Sequence, residues 1–516
     1  MTTSSTITTG LTPREYQMKI SESATKANTL VVLPTGLGKT VIALLVAIRR
    51  LSSNMNSKIL LLAPTKPLVV QHAKFFGDHL EGSLVEAILT GEVSAEERAK
   101  LFSESRLVFA TPEVIRNDVR QHKYSLREVC LVVFDEAHRC VRDYAYSEVA
   151  EAYKSEAHNP LILALTASPS ARRGRIAEIC EKLAIKNVEM RTEKDEDVKP
   201  YVNEVSPKWE RLPLPAGYKE VSRVLRNALD ERVGKLRTMR LLPANVPVSK
   251  RMLLELGEKV RQSLRTGKSG SLYGAIVLQA QAMSLTHAVE LLETQGAESL
   301  LRFLSRLENA ETRSSRGLAK DARIAEARSL ASATKREGHP KESRLRELVE
   351  AELSANPDAK MIVFTQFRDS VESITSGLGK LSGVRPVRFV GQATRRDGDV
   401  GLSQSEQVQI LKDFREAKFN VLVTTSIGEE GLHVPDVDHV IFYEAVPSEI
   451  RLIQRRGRTG RTRPGKMTVL MSEGTIDEAY YWSSKRKEQQ MQRILETVKR
   501  QGPRANVRKK TLLDYA

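Results

Sequence analysis

Cysteine is scarce in this chain: three in 516 residues, Cys130, Cys140 and Cys180. The number is odd and no C-x-x-C spacing occurs, which argues against a disulfide framework and a zinc site. The N-terminus "MTTSSTITTG" lacks the basic and apolar regions of a signal peptide. No uninterrupted apolar run approaches membrane-spanning length; the candidate around Leu30–Ile48 is broken by Pro34, Gly36, Gly38 and Lys39. The expectation is a soluble, cytoplasmic protein of a reducing compartment. Acid is also in deficit: 64 Asp and Glu face 81 Lys and Arg, a formal net charge of +17. An excess this large points to a polyanionic partner, of which nucleic acid is the commonest. With 41% hydrophobic residues, the chain can build two or three domains with their own cores.

Seven short runs rich in Val, Ile and Leu mark the first part: "TLVVLP", "KILLLAP", "EAILTG", "LVFATP", "LVVFDEAH", "LILALTAS" and "NVEMRT". Each ends at a polar, Gly or Pro punctuator, the pattern of buried parallel strands with crossover helices. After a flexible N-terminus (1–10), this predicts an α/β domain over 11–210. A second series, "MIVFTQF", "VRFVG", "NVLVTTS", "HVIFYEA" and "MTVLMSEG", predicts another over 345–482. Between them, 211–344 carries helical spacing and few strand signals, an all-helical insert. Its last part, Thr312 to Arg346, is basic and poor in apolar residues and reads as mobile or solvated. The basic tail, 483–516, reads as a helix that frays after Gly502. The fold class is therefore α/β, two parallel-sheet domains around a helical insert, with no clear internal sequence repeat.

"LPTGLGKT" (Leu33–Thr40) follows a predicted strand and precedes a predicted helix, the setting of a P-loop. The backbone N–H groups of Gly36, Leu37 and Gly38 would cradle phosphate at a helix N-terminus. Lys39 would pair the β- and γ-phosphates, and Thr40 would ligate Mg²⁺. Leu33 stands where the generic motif has glycine; Pro34-Thr35-Gly36 is a helicase variant of the loop. "RTGKSG" (Arg265–Gly270) has a GKS but no strand before it, and is assigned nothing. "LVVFDEAH" places Asp135 and Glu136 at the end of a buried strand, where ligands of open α/β sheets sit. Asp135 suits a Mg²⁺ carboxylate and Glu136 the base that orients a water.

In this order the motifs resemble those of a superfamily-two helicase. "REYQ" resembles the adenine-reading Q motif, with Arg14 and Gln17 at the base. "APTKPLVVQ" resembles motif Ia, "LTGE" the short motif after it, and "ATPEVIRND" motif Ib. "LTAS" resembles motif III, "IVFTQFRDS" motif IV, "TTSIGEEGLHVP" motif V and "QRRGRTGR" motif VI. The helical insert, with "FYEAVPSEIRLIQRRGRTGR" and "DEAYYWSSKRKEQQM", is similar to the archaeal Hef helicases, kin of FANCM. The resemblance covers almost the whole chain. It implies two RecA-like motor domains that translocate 3′→5′ on forked or branched DNA with ATP and Mg²⁺, and a thumb-like insert that grips DNA. Many Hef proteins add an XPF-type nuclease, which is not expected in these 516 residues.

Residue by residue, the resemblance assigns nucleic-acid contacts to Thr65, Lys66, Gly91, Thr111, Gln366 and Thr425. Backbone amides and hydroxyls of this kind read no sequence. Coupling falls to His138, Thr166, Ser168, Gln454 and Arg455. Arg458 and Arg461 are the arginine-finger candidates, while Arg456 and Arg463 read as surface charge. Gly431 and His433 would face the nucleotide. His433 stands where the family usually has Asp, and it fits either a tolerated hydrogen-bonding substitution or a pH-sensitive one, since His titrates near pH 6.5. The C-terminal "KKTLLDYA" keeps Leu512 and Tyr515 at the spacing of a sliding-clamp (PCNA-type) ligand. The rival readings are an RNA-directed ATPase of the Dicer or RIG-I type and an ATP-gated DNA remodeller without net unwinding.

Overall fold

The computed structural model describes residues 11–53, 57–80, 84–141, 144–167, 173–193, 195–201, 207–265, 271–394, 399–425, 437–445 and 465–501. Among these, the strands form two parallel sheets. The first comprises β1 (Thr29–Val32), β2 (Lys58–Leu62), β3 (Glu86–Leu89), β4 (Leu107–Ala110), β5 (Val129–Phe134), β6 (Ile162–Thr166) and β7 (Asn187–Met190). Their order is β3-β4-β2-β5-β6-β1-β7. Every residue of β1, β2, β4, β5 and β6 is buried; only the edge strands β3 and β7 are partly open. Burial on both faces is why the inner strands read as unbroken apolar runs rather than alternating ones. Helices α1 (Glu15–Ala24), α2 (Lys39–Ser53), α3 (Lys66–His79), α4 (Ala95–Glu104), α5 (Pro112–Arg120), α6 (Ala145–Glu156) and α7 (Arg173–Lys182) connect them, and a separate apolar core fills each face.

The second sheet has the order β10-β11-β9-β12-β13-β8. The strands expected from the sequence are β9 (Met361–Phe364), β10 (Pro386–Phe389), β11 (Val421–Thr424), β12 (His439–Phe442) and β13 (Lys466–Ser472). The sixth, β8 (Pro207–Leu212), pairs with β13 along six residues, although it precedes the insert in the chain. Its sequence PKWERL has three charged residues in six, as suits an edge strand, and so carries no apolar run. The chain thus enters the second sheet before it makes the insert, and the 210/211 boundary falls inside β8.

The insert is built from α8 (Ala216–Thr238), α9 (Lys250–Arg265), α10 (Ser271–Gln295), α11 (Ala297–Glu308), α12 (Arg313–Ala319) and α13 (Ala322–Thr334). The segment Thr312–Arg346, expected to be mobile or solvated, is folded. Leu318, Ile324, Ala327, Ala331 and Leu345 are buried. Ile324, Ala327 and Ala331 repeat at helical spacing, so a narrow stripe of mostly small side chains packs while the rest of the segment stays polar. One of its acids is doubly paired: Arg232 of α8 and Arg323 both hold Asp321. Helix α10 passes from Leu272 to Gln295 with enough length and apolarity to span a membrane by composition. Here it is the insert's central helix. It buries Glu290 and Glu293, which accept from Lys250 Nζ and Ser222 Oγ at 2.8 and 2.6 Å.

The second domain is completed by α14 (Pro340–Ala355), α15 (Arg368–Leu378), α16 (Gln404–Arg415) and α17 (Ile476–Gln501). Helix α17 starts beside β13 and reaches the first domain, where Met491 is buried in the core and Ile494 packs against it. At its root, the Lys341 ammonium and Asp477 carboxylate form an ion pair with both side chains fully buried. Lys341 also donates to Thr294 O of α10 at 3.4 Å, and the Ser472 N–H donates to Asp477 Oδ2 at 3.1 Å. One pair therefore ties α14, α17, α10 and β13 together. Lys341→Met should cost about 3–5 kcal/mol in denaturant unfolding, because it strands a buried carboxylate. Adding Asp477→Leu should return most of that loss; a double variant as unstable as the single one would assign the loss to packing instead.

Candidate functional site

All strands of the first sheet point the same way, so the loops at their C-terminal ends share one edge. Strand order divides that edge in two. The neighbours β5, β6 and β1 end in Asp135 and Glu136, in Thr166, and in the P-loop. The neighbours β3, β4 and β2 end near Gly91, at Thr111, and at Thr65 and Lys66. One half collects the residues assigned to nucleotide, the other those assigned to nucleic acid.

In the P-loop, Gly36 and Gly38 have φ of 89° and 74°, which favour glycine. A Cβ on Gly38 would also collide with the Gln17 amide. Gln17 is locked by its own contacts: its Nε2 donates to Leu37 O at 3.1 Å and its Oε1 accepts from the Arg14 N–H at 2.9 Å. The Q-motif helix α1 therefore braces the loop from below. Lys39 Nζ folds back onto Leu33 O at 3.1 Å. Pro34, Thr35 and Thr40 are half-buried along the loop and the start of α2, and Gly36 is exposed at its crest.

Asp135 is 6% exposed. Burial drives its carboxyl toward protonation, but hydrogen bonding and charge from His72, the Lys39 ammonium and the Glu136 amide outweigh that and hold it below the usual carboxylate value. His72 Nε2 lies 2.8 Å from Asp135 Oδ2. Tyr146 OH donates to Asp135 O at 2.6 Å and fixes the strand end. The next residue, Glu136, has φ of 49°, the left-handed region that a non-glycine residue occupies at a cost. Its Oε2 lies 3.1 Å from His138 Nδ1 without hydrogen-bond alignment, and is a buried oxygen with no hydrogen-bond partner among the described residues. His138 Nδ1 lies 3.3 Å from Thr166 Oγ1, which joins β5 to β6. His72 and Tyr146 escaped the sequence reading, because neither lies in a motif of charged or Gly-rich residues.

On the other half, Thr65 and Thr111 precede α3 and α5, each of which has proline in its first turn. Thr65 Oγ1 is buried without a hydrogen-bond partner among the described residues. Lys66 pairs with Glu92, which brings the motif Ia loop beside Gly91. In the second sheet, Gln366 follows β9 and Thr425 follows β11, adjacent strands. Thr425 is buried. Gln366 is held by its neighbours: its N–H donates to Glu444 Oε1, and its Nε2 donates to Ala445 O at 3.2 Å. Ser168, Gly431, His433, Gln454, Arg455, Arg458 and Arg461 lie outside the described residues.

Comparison with known proteins narrows the class. The DEAD/DEAH box helicase model matches residues 14–175, the helicase conserved C-terminal domain 341–463, and an ATP-dependent RNA helicase helical-bundle model 217–338. The Hef helicase domain of Pyrococcus furiosus, known as a crystal structure, is 43% identical with a TM-score of 0.70, over 92% of this chain and 98% of that one. A Methanocaldococcus jannaschii protein named as an ATP-dependent RNA helicase is 40% identical over 95% of this chain, which spans 61% of that protein. The mouse Fanconi anemia group M protein homolog is 33% identical over 92% of the chain, which spans 25% of its length. The ATP-dependent DNA helicase MPH1 of Pyricularia oryzae is 33% identical, with 44% of its length spanned. Two RecA-like domains with a P-loop and a DEAH strand end, joined by a helical bundle, define a DEAD/DEAH-box ATP-dependent helicase. Within that class, the chain belongs to the Hef helicase family.

Glu444 was also missed, although its signal resembles that of Asp135: an acid at the end of an apolar run, here separated from β12 by Tyr443. It is fully buried. Burial, reinforced by Asp477, pushes its carboxyl up to about 7 against the opposing Lys341 ammonium and hydrogen bonds from Gln295 and the Gln366 amide. The folded chain thus keeps a proton that the unfolded chain releases from about pH 4.5. Stability from this group is complete below 4.5 and is lost as pH rises through 7. Between those limits, wild type should lose about 1.4 kcal/mol per pH unit relative to Glu444→Gln. Parallel stability–pH curves for the two proteins would refute that environment.

Proposed function

We propose that this chain is an ATP-dependent DNA helicase or translocase that moves 3′→5′ on forked or branched DNA during replication-fork repair and recombination. The observation that carries it is the Glu136 carboxylate. It is held in a left-handed turn with a buried oxygen that lies 3.1 Å from His138 Nδ1 and makes no hydrogen bond among the described residues, one strand from Thr166 and two from the P-loop. Such a group is placed to orient and deprotonate a water for attack on the γ-phosphate. The sheet edge continues directly into the half assigned to nucleic acid, and the +17 charge supplies the attraction. The Hef, MPH1 and Fanconi group M names of the relatives favour DNA.

The residues present fit Mg·ATP. Gly36 and Gly38 hold the positive φ that curls the loop's backbone ahead of α2, and the Thr40 hydroxyl and Asp135 offer the few hard oxygens that Mg²⁺ takes from protein when phosphates and water supply the rest. Bound Mg·ATP supplies the electrophilic phosphorus and a cation that neutralises its charge. Lys39 would leave Leu33 O for phosphate, Arg14 and Gln17 would exchange their present contacts for the adenine, and Gly431 and His433 would hold the ribose. His138 and Thr166, with Ser168, Gln454 and Arg455, would pass the state of the nucleotide to Thr65, Lys66, Gly91, Thr111, Gln366 and Thr425, which would hold the strand backbone. Arg458 and Arg461 would complete the site from the second domain. An RNA-directed ATPase is the second reading, favoured by the names of the M. jannaschii relative and of the helical-bundle model.

ATPase and unwinding assays on single-stranded, forked, Holliday-junction and duplex-RNA substrates separate these readings. Forked DNA should stimulate turnover most. Glu136→Gln should retain nucleotide binding and lose about 10²–10⁴ in rate. Arg458→Ala should abolish turnover while sparing most DNA binding. Stimulation by RNA alone would install the second reading. The proposal includes cytoplasmic location, a separate nuclease partner and a clamp contact through the C-terminal TLLDY segment, outside the described residues. Deleting residues 507–516 should end sliding-clamp pull-down; unchanged pull-down removes that contact.

A further inference from the structure

The chain has two tryptophans, and they belong to one aromatic stack. Trp209 on the edge strand β8 lies 4.1 Å, centroid to centroid, from Tyr481 at the root of α17. Tyr481 in turn lies 4.9 Å from Trp482. Trp209 and Tyr481 pack on the second domain's core, whereas Trp482 is 46% exposed. The stack is therefore anchored at one end and open at the other. Lys485 Nζ stands over it, 5.7 Å from the Tyr481 ring centre and 5.6 Å from that of Trp482.

The helix continues the pattern. Ser484 and Met491 face inward and are buried. Trp482, Arg486, Gln489 and Arg493 are exposed and fall at i, i+4, i+7 and i+11, a single stripe on the outer face, with Lys485 beside it. The exposed residues from 482 to 493 are one tryptophan, three cations and three glutamines, with no carboxylate among them. A stripe that only kept the helix in water would need no large aromatic ring at its head. A ring face next to phosphate-binding cations suits a nucleobase and the backbone that follows it.

We infer that Trp482, with Lys485, Arg486 and Arg493, forms a second single-strand site, at which an unpaired nucleobase stacks on the indole and its phosphates run along α17. Paired bases inside a duplex hide their faces, so the site takes unpaired or terminal nucleotides. It is separate from the strand-end loops. It lies at the β8 edge, three strands from β9 in the order β9-β12-β13-β8. The inference rests on the DNA-directed reading proposed above, and it assigns that reading a further contact surface.

With two tryptophans, the intrinsic fluorescence reports directly on this stack. The full chain is titrated with oligo(dT) and with an abasic oligomer of equal length, following both fluorescence and anisotropy of labelled strand. Oligo(dT) should quench the wild-type emission and the abasic strand should not. Trp482→Ala should lose the quench and bind oligo(dT) about 5- to 150-fold more weakly, the range of stacking on one aromatic residue. Trp482→Phe should keep most of the affinity. Replacing Lys485, Arg486 and Arg493 by Gln should lower the slope of log affinity against log salt by about 2. Unchanged affinity in Trp482→Ala, with DNA-stimulated ATPase intact in wild type, overturns the inference and leaves the function standing. Wild type that neither binds DNA nor responds to it in ATPase overturns both. A change in oligomeric state alone on Trp482→Ala would make the face a protein interface and also overturn the inference.

Discussion

Asp135 is buried yet held below the usual carboxylate value, and the groups that hold it there come from separate elements of the first domain. Burial opposes the charge, and His72, Lys39 and the Glu136 amide outweigh it. His72 sits on α3, and the first residues of the same helix are Lys66 and, just before it, Thr65. A single helix therefore carries the partner of the Asp135 carboxylate and starts at Lys66, next to Thr65, on the other half of the sheet edge. Any movement of α3 that shifts its N-terminal end also acts on the 2.8 Å contact between His72 and Asp135. The two halves of the edge thus share one rigid element, α3, within the first domain itself.

The second domain solves a different problem, the attachment of a helical insert to a parallel sheet. The attachment is polar and buried. Lys341 binds Asp477, Ser370 donates to Gln295 at the end of α10, and Gln366 donates through its amide to Glu444. These groups are costly to bury singly and cheap only together, which makes the junction geometrically definite rather than greasy. Its consequence is that the insert and the loop after β9 share neighbours. The end of α10 and Gln366 thus meet through Glu444 and Ser370.

The inner strands, the P-loop and the DEAH turn were legible in the sequence because their physics is local. A strand buried on both faces must be apolar throughout, and a phosphate cradle needs glycine at positive φ. What escaped depended on partners far away in the chain. Strand β8 is polar because it is an edge, and it belongs to a sheet whose other strands come about 150 residues later and beyond. The folded stretch after Thr312 is hidden by arginines whose carboxylate partners lie on α8 and at the start of α13. His72, Tyr146 and Glu444 acquire meaning only when packing delivers them to a strand end.

Helix α17 gives the two motor domains a covalent and packed tie that the sequence showed only as a basic tail. It runs 26 residues, from a first turn in which Asp477 is locked by Lys341 to Met491 and Ile494 in the first domain's core and on to Gln501. At 1.5 Å per residue it spans about 39 Å. A cleft that opens and closes between the domains must bend this helix, slide it, or withdraw Met491 from its core. Withdrawing one methionine exposes apolar surface worth about 1.5–3 kcal/mol, small beside the free energy of nucleotide hydrolysis but large beside thermal energy. The helix thus opposes wide opening without forbidding it, and its outer stripe, headed by Trp482, moves with whatever the two domains do.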